Sequence, residues 1–363
     1  MSIKIYPNTK VYIACPANFA TGGPELLHQL GHNLINDLNI KTFIYYYNFD
    51  SNKFKTPVHT EYEMYNVPYV LEISEDEDIG KNILIVYEGI KELSLLCDFR
   101  NMRKGVWFVS VDNYYFEKEK KQDFFFQRAL NKILRLLGNP LLFDIHSENN
   151  LNKLIRRYDY EKDNLLKLAN FYMTNSYRGM KWFKKLKSLH YLSEYLNPKF
   201  LQNKTDFSKK ENIVAYNPKK GSSFTRKIIL NSKNIKFIPL INMSRTQVIS
   251  TLQKAKVYID FGNHPGKDRI PREAAILGCC VITGKRGSAA FFEDVPIPDE
   301  YKFEDKKGNI PKIIERIEDC FENFEERYKD FDFYRKSIKN EPQKFLEDLK
   351  KIFVKVENDE PII

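Results

Sequence analysis

Short apolar runs alternate with amphipathic segments along the chain. Two early runs, Val11–Cys15 and Thr42–Tyr47, are rich in β-branched and aromatic residues and predict buried strands. Between them, leucine and isoleucine residues recur at helical spacing and predict an amphipathic helix over Glu25–Asn39. Strands that are separated by single helices are typical of parallel sheets in α/β proteins.

The same alternation continues through the rest of the chain. Further strands are predicted at Ile83–Tyr87, Val106–Val111, Phe171–Thr174, Leu189–Leu192, Ile213–Tyr216, Ile235–Ile238, Val257–Phe261 and Cys280–Thr283. Further helices are predicted at Phe124–Leu137, from Phe224, from Ser244 or Thr246 to near Ala255, between Pro271 and Gly278, at Pro311–Phe324 and within Phe331–Val354. We therefore expect an α/β fold with two doubly wound, Rossmann-like halves.

A polar stretch, Asn203–Asn212, has little apolar surface to bury and separates the two halves. A chain of 363 residues is also long enough for about two domains at roughly 150 residues each. We expect domains at residues 1–204 and 205–330, followed by C-terminal helices at 331–363. Ligands of doubly wound domains bind beyond the carboxyl ends of the strands. Functional residues are therefore expected in loops that directly follow strands, around a cleft between the halves.

The net charge of +10 favours anionic partners such as nucleotide phosphates, nucleic acid or an anionic membrane. An ordinary solvated surface is the alternative, because lysine is abundant throughout the chain. Nucleic acid is not an expected partner, since the sequence has no RNP-like motif, zinc finger or recognisable basic helix motif. No apolar run approaches the roughly 18 residues of a membrane helix, and the first one is too short for a signal peptide, so we expect a cytoplasmic protein.

The cysteines are odd in number and form no CxxC pair: Cys15, Cys97, Cys279, Cys280 and Cys320. Buried free thiols in a reducing compartment explain them better than disulfides or metal ligands. No DxD-type metal motif is evident in the loops that directly follow the predicted strands. We therefore expect neither a bound metal nor a cofactor.

Two loops that follow predicted strands have a composition suited to anions. The first contains Gly22 and Gly23 and leads into a helix, where backbone N–H groups are open to an anion; a plain tight turn is the alternative. The second follows Ile213–Tyr216 and offers Asn217, Lys219 and Lys220, with Arg226 nearby. These cations are suited to neutralising a diphosphate, or they form an exposed basic loop.

The loop after Val257–Phe261 is the richest in ionisable groups. It contains His264, Gly266, Lys267, Asp268 and Arg269, and the next helix opens with Arg272 and Glu273. A carboxylate in the first turn of a helix interacts well with the helix dipole without any function. In a functional site, Glu273 would accept hydrogen bonds from a ribose diol. A fourth loop, with Gly287 and Ser288, follows the next strand and forms a further phosphate cradle.

Taken together, these loops resemble those of GT-B glycosyltransferases, and most of all glycosyltransferase family 4 and related polysaccharide-assembly enzymes. The family's Gly-Gly-x-Glu turn is matched by Gly22, Gly23 and Glu25. Its strand, serine and helix pattern is matched by Phe171–Thr174 and Ser176. Its basic pair is replaced by Lys219 or Lys220 together with Arg226, and Gly287-Ser288 resembles its Gly-rich loop.

The family's signature of two glutamates with seven residues between them is matched only in its second half. Glu273 and the small-residue turn that ends at Gly278 fit the pattern. Pro265 stands where the first glutamate is found, and Gly266-Lys267-Asp268 replaces the usual Gly-Phe-Gly. The sequence therefore resembles a divergent branch of the family, in which Lys267 or Asp268 would hold the hydroxyls of the donor sugar.

The resemblance implies transfer of a hexosyl group from a nucleotide diphosphate sugar to a hydroxyl of a glycan or lipid-linked acceptor, without a metal. The implied donor-binding residues are Gly22, Gly23, Asn217, Lys219, Lys220, Arg226, His264, Gly266, Asp268, Arg269, Arg272, Glu273, Gly287 and Ser288. The implied catalytic residues are Asp112, Glu88 and Lys267, the two carboxylates following strands of the first half. The alternative is a non-catalytic GT-B scaffold that binds a nucleotide or a partner protein.

A basic and aromatic segment, Ser176–His190, raises the question of membrane contact. A helix of this composition is suited to lying on anionic lipid, which a lipid-linked acceptor would favour. A core helix with a solvated basic face is the alternative. A peripheral location at the inner face of the cytoplasmic membrane is therefore one expectation.

Overall fold

The computed structural model describes residues 2–120, 122–136, 145–202 and 205–357, which form two compact units. The first unit takes the described residues of Met1–Glu117, Tyr158–Glu194 and Pro342–Ile363. The second takes those of Lys118–Arg157 and Tyr195–Glu341. This division differs from the expected boundaries at 204/205 and 330/331. The second unit runs from Tyr195 to Glu341 and also includes Lys118–Arg157, and the chain rejoins the first unit at Pro342.

Strands and helices alternate along most of the chain. In chain order, the strands are β1 (Ile3–Ile5), β2 (Lys10–Pro16), β3 (Lys41–Tyr47), β4 (Tyr69–Val70), β5 (Ile83–Tyr87), β6 (Arg103–Phe108), β7 (Phe171–Thr174), β8 (Leu189–Tyr191), β9 (Glu211–Tyr216), β10 (Lys236–Pro239), β11 (Ala255–Asp260), β12 (Cys280–Gly284), β13 (Lys302–Phe303) and β14 (Phe353–Lys355). The helices are α1 (Gly22–Asn36), α2 (Ile90–Ser94), α3 (Val111–Phe116), α4 (Phe125–Leu136), α5 (Glu148–Arg157), α6 (Tyr177–Trp182), α7 (Pro198–Leu201), α8 (Ser222–Asn231), α9 (Arg245–Lys254), α10 (Arg269–Ile276), α11 (Ile310–Glu322), α12 (Phe324–Lys329) and α13 (Asp332–Ile352).

Each unit is built on a parallel sheet. The sheet of the first unit has the order β4-β3-β2-β5-β6-β7-β8, and β1 pairs separately with β14. The sheet of the second unit has the order β10-β9-β11-β12-β13. The ladders of both sheets are parallel, which confirms the α/β class and the parallel sheets expected from the sequence.

The central strands are buried on both faces, which explains their uninterrupted apolar sequences. In the first unit, Val11–Cys15 of β2 and Ile83–Val86 of β5 are almost completely buried. In the second unit, the same holds for Val257–Ile259 of β11 and Cys280–Ile282 of β12. The polar side chains that could bind a ligand are therefore expected in the loops at the ends of these strands.

The boundaries of strand β6 and helix α1 are among those that differ from the prediction. Strand β6 ends at Phe108, before the predicted end at Val111, because the Ser110 side chain accepts a hydrogen bond from the Asn113 N–H and caps α3. Helix α1 begins at Gly22 rather than Glu25, so both glycines of the first loop lie inside its first turn.

The predicted basic helix at Ser176–His190 is not continuous. Ser176 caps a helix as expected, but α6 ends at Trp182. Arg178 and Phe183 are buried, so this segment does not present one exposed basic and aromatic face. Among the residues whose structure is described, no helix combines the length and apolarity needed to span a bilayer.

Candidate functional site

The strand order of the second unit places two of the predicted loops side by side. From β9 the chain moves outward to β10 and then returns to β11 on the other side of β9, so the topological switch lies between β9 and β11. Ligands of doubly wound sheets bind at the carboxyl ends of the strands that flank this switch. The loop with Asn217, Lys219 and Lys220 follows β9, and the loop with His264 to Asp268 follows β11.

An ion pair joins these two loops. The Nζ atom of Lys220 lies 2.8 Å from Oδ1 and 2.7 Å from Oδ2 of Asp268. Both side chains are partly shielded from solvent. The structure therefore brings together two residues, 48 positions apart, that the sequence assigns to the donor site.

Glycine conformations allow the loops to approach closely. Gly221 has φ +55°, and a Cβ atom on it would overlap the backbone of Phe261. Gly287 has φ +59°, and a Cβ atom there would overlap the carbonyl group of His264, which also accepts a hydrogen bond from the Ser288 N–H at 2.8 Å. Only glycine adopts such a conformation at a close backbone contact without strain. Three post-strand loops of the second unit thus converge at one edge of the sheet.

His264 is fully buried between two carboxylates. Its Nε2 lies 3.6 Å from Oδ1 of Asp260, and its Nδ1 lies 3.3 Å from Oδ2 of Asp268. Ligand atoms of Asp260, His264 and Asp268 lie within 4.8 Å of one another, a spacing that a metal ion can bridge. The ammonium group of Lys220 already contacts both oxygens of the Asp268 carboxylate. The His264 imidazole is therefore surrounded by two aspartates, and one of them is paired with a lysine.

Glu341 of α13 holds two of the predicted cations. Its Oε1 lies 2.8 Å from Nζ of Lys267, and its Oε2 accepts a hydrogen bond from Nη1 of Arg272 at 2.9 Å. Arg272 is fully buried and also donates to the backbone carbonyls of Asp268 and Lys267, at 3.2 and 3.1 Å. Arg272 therefore fixes the loop in which Lys267 and Asp268 lie. No sequence signal marks Glu341, because it lies 69 residues from Arg272.

The remaining donor candidates of the second unit lie on the same loops and on the helices that follow them. Lys219 and Arg226 are exposed, and the Asn217 side chain accepts a hydrogen bond from the Lys219 N–H at 3.0 Å. Arg269 opens α10 and Glu273 lies one turn later, both half-buried. Gly266 and Ser288 are buried, and the Ser288 Oγ atom has no hydrogen-bond partner among the described residues.

Asp305 is a further acidic residue at this edge that the sequence does not reveal. Its carboxylate lies 2.6 Å from Nη2 of Arg286, and a Cβ atom on Gly284 would lie 2.8 Å from its Oδ1. Burial raises the pKa of Asp305 to about 7, although Arg286 opposes the shift. Asp305 follows β13, a strand of two residues that is too short for its pattern to be read from sequence.

In the first unit, the topological switch lies between β2 and β5. The loop after β2 leads to Gly22 and Gly23 at the start of α1. A Cβ atom on Gly23 would meet nothing within 4 Å, so packing does not require glycine there. Glu25 is buried and accepts a hydrogen bond from the Tyr65 hydroxyl at 3.0 Å, which favours a structural role for this carboxylate.

Glu88 directly follows β5 at the same switch. Its Oε2 accepts a hydrogen bond from the Val109 N–H at 2.9 Å, and its Oε1 has no hydrogen-bond partner among the described residues. Burial raises the pKa of Glu88 to about 8, and the negative charges of Glu92 and Glu117 add to the shift. Such a pKa lies near that of a general acid or base that works at neutral pH.

Asp112, the other acidic candidate of the first unit, forms an ion pair. Its Oδ1 accepts a hydrogen bond from Nη2 of Arg178 at 2.6 Å, and both side chains are buried. A buried carboxylate that is paired with a guanidinium group is a poor proton acceptor, because protonation would leave the cation uncompensated. The geometry favours Glu88 over Asp112 as a titrating group.

Comparison with known proteins places the chain by its fold. No protein-family model matches the sequence, and no curated protein matches it. HepE from Anabaena, solved in complex with UDP and glucose, is 12% identical with a TM-score of 0.55, over 94% of this chain and 98% of that chain. Sucrose-phosphate synthase from Thermosynechococcus elongatus is 11% identical with a TM-score of 0.61, over 94% and 97%. Both are GT-B glycosyltransferases, and the chain has the GT-B fold.

Proposed function

We propose that the protein is a glycosyltransferase that moves a hexosyl group from a nucleotide diphosphate sugar to a hydroxyl of a glycan or lipid-linked acceptor. The reaction would be metal-independent and would belong to polysaccharide assembly, and the chain would be a divergent relative of glycosyltransferase family 4. One observation carries the proposal: three loops of the second unit converge at the switch between β9 and β11, in a chain with the GT-B fold.

The donor diphosphate would bind where the cations and N–H groups gather. Lys219, in the loop after β9, and Arg226, in α8, are exposed, and Arg269 opens an eight-residue helix whose N-terminal N–H groups attract anions. Glu273, one turn into α10, would accept hydrogen bonds from the ribose hydroxyls. HepE has been solved with UDP, which makes uridine diphosphate the first nucleotide to test.

The donor sugar would be held by the network around His264. Asp268 and Lys267 are the polar groups that replace the usual loop of the resembled family, and Lys220 and Glu341 fix their positions. The Gly287 N–H and the Ser288 hydroxyl would approach the phosphates, because the Ser288 N–H already donates to the His264 carbonyl. Groups that are held in fixed positions in this way would stabilise the departing diphosphate with little reorganisation.

Glu88 would act on the acceptor hydroxyl. Its raised pKa, about 8, leaves a fraction of the carboxyl ionised at neutral pH and makes it a stronger base than an exposed glutamate. The orphan Oε1 is the atom that would accept the proton. Asp112 stays a second candidate only if the ion pair with Arg178 opens.

A non-catalytic scaffold that only binds a nucleotide is the second candidate function. The observation that favours it is charge pairing: Lys220 is bound to Asp268, and both Lys267 and Arg272 are bound to Glu341. A site whose cations are neutralised in this way would stabilise a transition state less strongly than one with unpaired cations.

Nucleotide-sugar turnover distinguishes the two functions. The purified full-length chain is incubated with a panel of nucleotide diphosphate sugars, with and without glycan acceptors, and released nucleoside diphosphate is measured. Release from one donor, abolished in a Glu88→Gln variant when acceptor is present, supports transfer. Binding of a nucleoside diphosphate without release from any donor supports the scaffold function.

A further inference from the structure

Helix α4 presents an apolar face to solvent. The exposed fractions of four side chains on this helix are 60% for Phe125, 79% for Phe126, 46% for Leu130 and 52% for Ile133. At 100° per residue, these four positions lie within one continuous arc of the helix surface. Two phenylalanine rings and two aliphatic side chains therefore form one apolar surface, which we term the α4 face.

The polar side of the same helix faces the protein. Asn131 is only 7% exposed, and the Gln127 side chain accepts a hydrogen bond from Nδ2 of Asn150 in α5 at 2.8 Å. Gln127 and Asn131 are four residues apart and so lie on one side of the helix, away from the α4 face. A surface helix of a globular protein ordinarily buries its apolar stripe, so this helix has the reverse orientation.

The charged residues of α4 are all basic. The sequence of α4, FFQRALNKILRL, contains no carboxylate. Arg128 and Lys132 are exposed and lie next to the apolar arc, although Arg128 also contacts Glu119 at 2.6 Å. The whole chain carries a net charge of +10. An apolar face with a basic border, on a helix without acidic residues, is typical of helices that lie in the interface of an anionic membrane.

We propose that α4 docks the protein on an anionic lipid bilayer, with Phe125, Phe126, Leu130 and Ile133 entering the interface and Lys132 contacting lipid phosphates. A second copy of the chain fits the face less well, because a twofold contact would bring the same cations towards each other. The earlier candidate segment, Ser176–His190, has Arg178 and Phe183 buried and lacks such a face. The inference deepens the proposed function, which includes a lipid-linked acceptor, but lipid binding is measured without any transfer reaction.

Vesicle sedimentation tests the proposal. The full-length chain is mixed with vesicles of phosphatidylcholine alone or with 30% phosphatidylglycerol (about one lipid in three), at two salt concentrations. We expect binding to the anionic vesicles, at least tenfold weaker for the Phe125→Ser/Phe126→Ser variant and weaker, with a smaller salt dependence, for Lys132→Glu. Phe54→Ser and Lys184→Glu are the matched controls, since both residues are exposed elsewhere, and they should bind as the wild type does.

Other occupants of the α4 face give other results. Absence of wild-type binding to anionic vesicles overturns the proposal, as does an equal loss in Phe54→Ser or Lys184→Glu. A dimer in light scattering that the Phe125→Ser/Phe126→Ser variant lacks, without vesicle binding, assigns the face to a second copy. A large fall in Tm for that variant, again without vesicle binding by the wild type, shows that the face is covered within the chain. Vesicle binding without nucleotide-sugar turnover leaves the docking surface standing and removes the proposed reaction.

Discussion

The Nζ atom of Lys220 lies 2.7 Å from Oδ2 of Asp268, so the loop after β9 is tied to the loop after β11. The tie crosses the topological switch of the second unit, where a doubly wound sheet binds its ligand. A charge pair at this point holds the two loops together. It also sets the position of the Asp268 carboxylate beside His264.

Lys220→Ala should weaken both loop order and nucleotide binding. Because the pair is only partly buried, we expect a loss of about 1 kcal/mol or less in the free energy of unfolding. A double-mutant cycle with Asp268→Ala, followed by urea denaturation, measures the coupling. Lys227→Ala, an exposed lysine of α8, is the control. Additive effects of the two substitutions would show that the pair contributes nothing.

Glu341→Gln should destabilise the protein strongly. The substitution leaves the fully buried Arg272 and the nearby Lys267 without a carboxylate, and breaking a buried ion pair costs about 3–5 kcal/mol. Urea unfolding of the variant measures this cost. Glu347→Gln changes an exposed glutamate of the same helix and should alter the unfolding free energy by less than about 0.5 kcal/mol. Equal midpoints for the two variants contradict the assigned role of Glu341.

Because of Glu88, the free energy of unfolding should decrease as the pH rises. Its pKa is about 8 in the folded chain, above the ordinary value of 4.5, so the folded carboxyl keeps its proton where the unfolded one has lost it. The stabilisation is fully present below pH 4.5 and is lost as the pH rises to about 8. Glu88→Gln cannot titrate, so its stability relative to the wild type should increase between pH 5 and pH 8. Parallel pH profiles of the two proteins would exclude the raised pKa.

Gly287→Ala should disturb the meeting point of the loops. The residue has φ +59°, and its new Cβ atom would overlap the carbonyl group of His264. We expect a loss of about 1–3 kcal/mol in stability and weaker nucleotide binding. Gly308→Ala, where a Cβ atom meets nothing within 4 Å, is the matched control. Thermal unfolding with and without nucleotide measures both effects. A Gly287→Ala variant with wild-type stability and nucleotide binding would show that the close contact with His264 is not required.

The local pattern of apolar and polar residues was sufficient to predict the elements that are buried on both faces. Strands β5 and β7 have the limits predicted from sequence, because each is an apolar run that polar residues interrupt at both ends. Ser244 caps α9 as one of the two predicted starts, with Gln247 completing the capping box. These features depend on neighbours in the chain, so the sequence contains the whole signal.

Contacts between residues that lie far apart in the chain could not be predicted in the same way. Glu341 was not predicted, since its partners lie 69 residues or more away in the chain and its own helix gives no hint of them. The inverted helix α4 was predicted as a helix, but its pattern does not say which side faces the protein. The ion pair of Asp112 with Arg178 likewise depends on the pairing of β6 with β7, which composition alone does not give.

We infer that the converging loops of the second unit bind a nucleoside diphosphate. Isothermal titration of uridine diphosphate, and of the other nucleoside diphosphates, into the wild type and Glu273→Gln is the decisive experiment, with Glu318→Gln as an exposed-glutamate control. We predict saturable binding by the wild type and Glu318→Gln, and at least tenfold weaker binding by Glu273→Gln. Absence of binding for every nucleoside diphosphate, or equal affinity of Glu273→Gln and the wild type, would contradict the claim.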